Sequence, residues 1–163
     1  MALRKSKQAA NRVPALSADG AADTLPLVFE HVVVTTEFAL NDVIEMGALP
    51  AGMILLAPPV LVTEDLDTGA TLTLDVGLMT GDYLAALDGS GAARTCGAEF
   101  FAGTTIGQTG GLVTSAVAAG MRLTPSLVDR SIGVKIASAA AGNVAGAKIR
   151  LHVLVAAAPV GIN

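Results

Sequence analysis

Residues 70–79 read ATLTLDVGLM. Leu72, Leu74, Val76 and Leu78 stand at every second position, with Thr71, Thr73, Asp75, Gly77 and Met79 between them. Successive side chains of an extended strand point to opposite faces. This period of two therefore predicts a strand with the four aliphatic residues toward a core and a mostly polar face outward. A helix would need apolar residues three and four apart, and no long stretch of the chain shows that spacing with matching caps.

Carried outward, the same reading predicts a β-rich chain. Residues 27–38 (LVFEHVVVTTEF) are rich in β-branched residues and predict a strand. Residues 41–46 predict a second, and 53–62 a third in which Pro58 and Pro59 force an edge or a bulge. Three more are predicted at 112–118, 131–138 and 147–156. Leu49-Pro50-Ala51-Gly52 has proline to set φ and glycine to allow positive φ. Thr124-Pro125-Ser126 marks another connection, and Gly142-Asn143 with Gly146 separates the last two strands. Residues 80–111 are irregular: 83–87 suit one helical turn, and loops at 88–93 and 103–111 flank the pair Phe100-Phe101. Strands at this spacing predict an all-β fold, a jelly-roll-like β-sandwich with long loops at 80–111, in preference to a barrel.

With 163 residues the chain is long enough for one domain with a real core. It is 52% hydrophobic but 3% aromatic and 15% charged, so its apolar mass is aliphatic and part of it calls for cover in an assembly. The apolar stretches 48–62 and 151–160 are too short for a membrane-spanning helix or are broken by Pro50, Pro58, Pro59 and Pro159. Arg4, Lys5 and Lys7 are not followed by an apolar segment, so they do not read as a signal peptide. A net charge of −4 argues against nucleic acid as the main partner. The charge is uneven. Residues 1–24 are net +2 through Arg4, Lys5, Lys7 and Arg12, and 25–163 are net −6. The first segment is polar, Ala-rich and without periodicity. It reads as an extended basic arm, and 25–163 as a single domain.

Asp67-Thr68-Gly69-Ala70 has the form of the active-site opening of retroviral-type aspartic proteases. Such an enzyme needs two Asp side chains sharing one proton, the second supplied here by dimerisation. Glu64 and Asp65 crowd the same turn, so two such loops would bring six acidic groups to a two-fold axis. The simpler reading is a turn, in which Asp67 accepts from its own backbone two residues on and Gly69 supplies positive φ. Glu64, Asp65 and Asp67, with Asp82 or Asp88, are candidate Ca²⁺ ligands, but they lack the every-second-residue oxygen pattern of a helix-loop-helix site. The stretch 103–111 is Gly-rich but lacks the Gly-Lys-Ser/Thr ending of a phosphate loop. His31 and His152 fall mid-strand with no ligand spacing, and Cys96, the only cysteine, reads as a small core residue. These residues imply no cofactor and no metal.

Phe38-Ala39-Leu40-Asn41-Asp42-Val43-Ile44, Leu49-Pro50-Ala51-Gly52, Asp65-Leu66-Asp67-Thr68-Gly69, Leu74-Asp75-Val76-Gly77-Leu78 and Arg94-Thr95-Cys96-Gly97 together resemble the head decoration, or capsid cement, proteins of tailed bacteriophages. That resemblance implies a non-enzymatic β-sandwich on the capsid exterior. It implies binding to major capsid protein across capsomer boundaries, as a homo-oligomer with a trimer favoured over a dimer. The arm lies outside the resembling stretch. Its basic Arg4, Lys5, Lys7 and Arg12 suit attraction and register on a capsid, with Val13, Leu16 and Leu25 docking in apolar grooves. The competing readings are an aspartic protease using Asp67 and a fibre or receptor-binding module. A glycan-binding module favours Trp and Tyr, and this chain has no Trp and one Tyr.

Overall fold

The alternating leucines of 70–79 need a second apolar layer, and the chain supplies it by doubling back on itself as one long rolled hairpin. The computed structural model describes residues 3–5 and 24–158. Its strands are β1 (Leu3–Lys5), β2 (Thr24–Val32), β3 (Val43–Leu49), β4 (Met53–Leu55), β5 (Val60–Thr63), β6 (Thr73–Asp82), β7 (Phe101–Thr104), β8 (Gly111–Thr114), β9 (Arg130–Ser138) and β10 (Lys148–Ala157). A 3₁₀ turn, Ile106–Gln108, joins β7 to β8, and one helical turn, α1 (Ala118–Met121), precedes β9.

The antiparallel pairs are nested: β2 with β10, β3 with β9, β5 with β8, and β6 with β7. Rolling them up gives two sheets ordered β1-β3-β9-β6-β7 and β2-β10-β5-β8, with β4 beside β10 in the second. Successive strands of the hairpin alternate between sheets, which is a jelly roll, the expected architecture. β4 and β5 lie in line along β10, with Leu55 opposite Val155 and Val60 opposite His152. The strand expected at 53–62 is thus one strand interrupted where Pro58 and Pro59 cannot donate to the ladder.

Other boundaries differ from expectation. The strand expected at 27–38 ends at Val32, because Glu37 takes the Val34 N–H (3.0 Å) and closes a turn, with Phe38 and Asn41 at φ of 68° and 67°. The strand expected at 112–118 ends at Thr114, where Ser115 Oγ donates to the Phe100 carbonyl and accepts from the Val117 N–H. Residues 83–87 form a turn with Leu84 at φ 65°, not a helical turn. Residues 101–104 carry no strand signal, yet form β7 by pairing with β6.

Leu72, Leu74 and Val76 are 0% exposed and lie in the core between the sheets. Leu78 is a correction: it packs only partly against that core, and Met79 instead is buried in a small cluster with Val43 and Cys96. All four phenylalanines, Phe29, Phe38, Phe100 and Phe101, are buried in the core. The outer face of the first sheet is covered too. Gly77 and Gly133 face each other on β6 and β9, and a side chain at Gly77 would strike Gly97 and Glu99. The missing Cβ of Gly77 lets the stretch 97–99 lie close on the sheet, and that of Gly133 makes room for the Met79 side chain.

Leu74→Ala is expected to lower unfolding free energy by roughly 2–5 kcal/mol. Leu112→Ala, at a side chain 65% exposed, should change it by less than about 0.5 kcal/mol. Urea denaturation of both variants checks the pair.

Candidate functional site

Asp67 lies in the β5–β6 connection and is 2% exposed. Its Oδ1 accepts from the N–H groups of Gly69 (3.1 Å), Ala141 (2.8 Å) and Gly142 (3.3 Å). Its Oδ2 accepts from Thr71 N–H (2.6 Å), Thr71 Oγ (3.2 Å) and Leu72 N–H (2.7 Å). The expected bond two residues on is there, and Ala141 and Gly142 add a second connection, the β9–β10 turn. Positive φ falls on Ala70 (55°), not on Gly69 as expected. Gly69 is needed for another reason: a Cβ there would meet the Ala141 side chain. Burial opposes ionisation of Asp67, but the N–H groups of Leu72, Thr71, Gly69 and Gly142 outweigh it and hold the carboxyl well below its usual range.

This geometry does not suit a protease dyad. A carboxylate has about four lone-pair sites, and five backbone N–H groups already claim those of Asp67. Its burial under the 139–142 turn keeps a second copy's Asp from approaching, and its depressed pKa opposes a shared proton. Nor does the acidic cluster converge on a cation. Asp65 Oδ1 accepts from the Asp67 N–H and Glu64 Oε2 from the Lys148 N–H. Among the described residues no three His, Cys, Asp or Glu side chains stand together as metal ligands.

A second buried charge was not singled out in the sequence. Glu45 on β3 and Arg94 in the loop covering β3 are 0% and 1% exposed. Arg94 Nη1 donates to Glu45 Oε1 (2.8 Å), and Ser131 Oγ donates to the same oxygen (2.6 Å). Arg94 Nε donates to the Thr80 carbonyl (2.7 Å), Nη1 also to that of Ala85 (3.1 Å), and Nη2 to Ser131 Oγ (2.6 Å). The fork of the guanidinium thus ties the loop to β3, β6 and β9. The available signal was a glutamate inside the apolar run Val43–Leu49.

His31 is buried, its Nε2 2.8 Å from Glu37 Oε2, whereas His152 faces outward on β10. Cys96 is buried, and burial pushes its thiol up to about 12, so it is not a thiolate at neutral pH. Arg4 and Lys5 lie in β1, which pairs in parallel with β3. Lys7, Arg12, Val13 and Leu16 lie outside the described residues. Leu25 lies in β2 and packs partly buried against this chain's own core, so it is not free to dock elsewhere.

Two surface hollows carry exposed apolar side chains. Leu127 (99% exposed) and Val128 (59%) stand at the tip of the α1–β9 connection, beside a hollow formed with Ala51, Asp82, Tyr83 and Asp129. On the outer face of the second sheet, Pro26, Val28, Pro58, Val60 and Leu154 line a shallow groove with His152.

Fold and geometry together define a jelly-roll protein whose buried charges brace its own connections and whose exposed apolar groups lie at loop tips and on one sheet face. No family model matches the chain, and no curated protein matches it. Among solved structures, a chain in the capsid of Ralstonia phage GP4 superposes with a TM-score of 0.86 at 34% identity, over 97% of this chain and 99% of that one. The chain belongs to this family of phage capsid proteins. A chain in the capsid asymmetric unit of cyanophage Pam1 shares the fold, with a TM-score of 0.56 at 23% identity over 90% of this chain and 96% of that one.

Protonation binds the unfolded Asp67 first, because its folded pKa is depressed. Its stabilisation is therefore complete above about pH 4 and withdrawn as pH falls below that value. Asp67→Asn should cost about 1.5–3 kcal/mol at pH 7, with the gap to the native chain narrowing between pH 4 and pH 2. Urea midpoints across that range test it, and a gap independent of pH would mean the charge is immaterial. Arg94→Ala, which strands a buried Glu45, should cost about 3–5 kcal/mol in the same measurement.

Proposed function

We propose that this chain is a decoration protein of a phage head, a structural virion protein on the capsid exterior. It binds major capsid protein across capsomer boundaries as a homo-oligomer, a trimer in preference to a dimer. The observation that carries the reading is the near full-length likeness to a chain of a phage capsid. The sequence resemblance of residues 38–111 to capsid cement proteins points to the decorating role in particular. A fully exposed Leu127 and an apolar sheet face suit a protein that works by covering surface.

The basic arm is the first candidate for the capsid contact. Ordering backbone costs about 1–2 kcal/mol per residue. Exposed ion pairs return roughly 0.2–1 kcal/mol each, so Arg4, Lys5, Lys7 and Arg12 do not hold an arm alone. Val13 and Leu16 supply the apolar part, and the charges supply attraction and register.

Binding to undecorated capsids should therefore weaken only in part with added salt, and strongly on deletion of residues 1–24. Occupancy is read by sedimentation of capsids with full-length and truncated protein at low and high salt. Equal occupancy of the two forms would move the contact to the 80–111 loops. The free protein should sediment as an oligomer at micromolar concentration, and a well-folded monomer would count against the reading.

A further inference from the structure

We propose that the edge of β3 is a strand-acceptor slot which, in the assembled oligomer, is filled by β1 of a neighbouring copy. The proposal rests on the homo-oligomer reading above. β1 is the end strand of its sheet, with Leu3, Arg4 and Lys5 opposite Val43, Ile44 and Glu45. Its pairing is parallel, whereas the other ladders of both sheets are antiparallel. β1 is therefore an addition to the nested hairpin and not a member of it. Adding a short strand to a sheet edge is a general recognition mode that works through main-chain bonds, and such bonds do not distinguish one copy's backbone from another's.

The slot is held in shape by contacts that do not involve β1. Val43, Ile44 and Glu45 are fixed on their other side by Lys135, Val134 and Gly133 of β9. Glu45 is clamped by Arg94 and Ser131 beneath the covering loop. An acceptor ordered in advance loses little freedom when a strand arrives. The donor has reach: residues 6–23 separate Lys5 from Thr24, a span of up to about 60 Å when extended. A ten-residue strand such as β6 is only about 33 Å long, so the connection is long enough to pass beyond the chain's own sheet. Within a closed oligomer the two slots compete at comparable effective concentration. Exchange keeps every bond of the ladder and links copies without a new complementary surface. It also lays a net +2 segment on a neighbour whose body is net −6.

The test uses full-length chains in which Cys96→Ala removes the native thiol. One tagged copy carries Leu3→Cys. A second, differently tagged copy carries Leu40→Cys at an exposed position just before β3. The two are co-expressed and treated with a short bis-maleimide, and sedimentation of the same sample gives the oligomeric state. Exchange predicts a covalent pair bearing both tags, and a series of linked chains when both substitutions sit on one copy. Links confined within single chains in an intact oligomer overturn exchange and leave the oligomer reading standing. A monomer overturns both. Deleting residues 1–5 is the second measurement. Exchange predicts an unchanged fold by circular dichroism and at least a tenfold rise in the concentration at which the oligomer dissociates. An oligomer as tight as the native one overturns the proposal.

Discussion

The ionised side chain of Asp67 is the interaction on which one end of the sandwich depends. Strands of a jelly roll enter and leave by loops, and loops carry backbone N–H groups that no ladder satisfies. Here the β5–β6 connection turns around a carboxylate, and the β9–β10 connection is drawn to the same two oxygens. Neighbouring bonds extend the junction. Thr68 N–H donates to the Gly142 carbonyl, Val144 N–H to that of Leu66, and the Asn143 side chain to that of Glu37. Leu66 N–H reaches the Gly107 carbonyl in the β7–β8 connection. Four loops far apart in sequence are thereby fixed relative to one another, and with them the registers of the strands they join.

The outer face of the first sheet is organised by the opposite logic. Paired glycines on β6 and β9 remove side chains, the covering loop lies against Gly77 while Met79 fills the space over Gly133, and Arg94 fastens the loop to Glu45. A buried ion pair contributes little net stability compared with apolar packing, but breaking one partner is costly, so it holds the loop in one place. The clamp sits beneath the stretch of β3 that carries β1. The edge strand thus rests on a part of the sheet held by both β9 and the Arg94 clamp.

Several features were legible in the sequence because they are local. The period of two in 70–79 marked β6, and the Asx turn at Asp67 was visible because its first bond spans two residues. The pair Pro58-Pro59 marked an irregularity, expected as an edge or a bulge, where the structure breaks the strand into β4 and β5. Other features depend on distant partners. β7 has no alternation and exists because β6 offers it a ladder. The β-branched run through Val34 reads as strand, yet the Glu37 carboxylate turns it into a corner. Gly69 looked like a residue chosen for positive φ, but its constraint is Ala141, remote in the chain and adjacent in space. The Glu45–Arg94–Ser131 cluster joins three elements, and the one local sign of it, a glutamate inside an apolar run, does not name its partners.

The sequence by itself determined the class of the fold, those of its turns that proline, glycine and Asx bonding mark, and the division between a basic leading segment and an acidic body. Alternation, proline geometry, Asx bonding and charge all act between residues close along the chain. Only the tertiary structure decided the nesting of β2 with β10, β3 with β9, β5 with β8 and β6 with β7, and so which loops meet at Asp67. Main-chain ladders are chemically alike. The choice among pairings is made by whole-sheet burial: the arrangement that covers Leu72, Leu74 and Val76 while satisfying Asp67 and Glu45 is a property of the closed sandwich and of no segment within it.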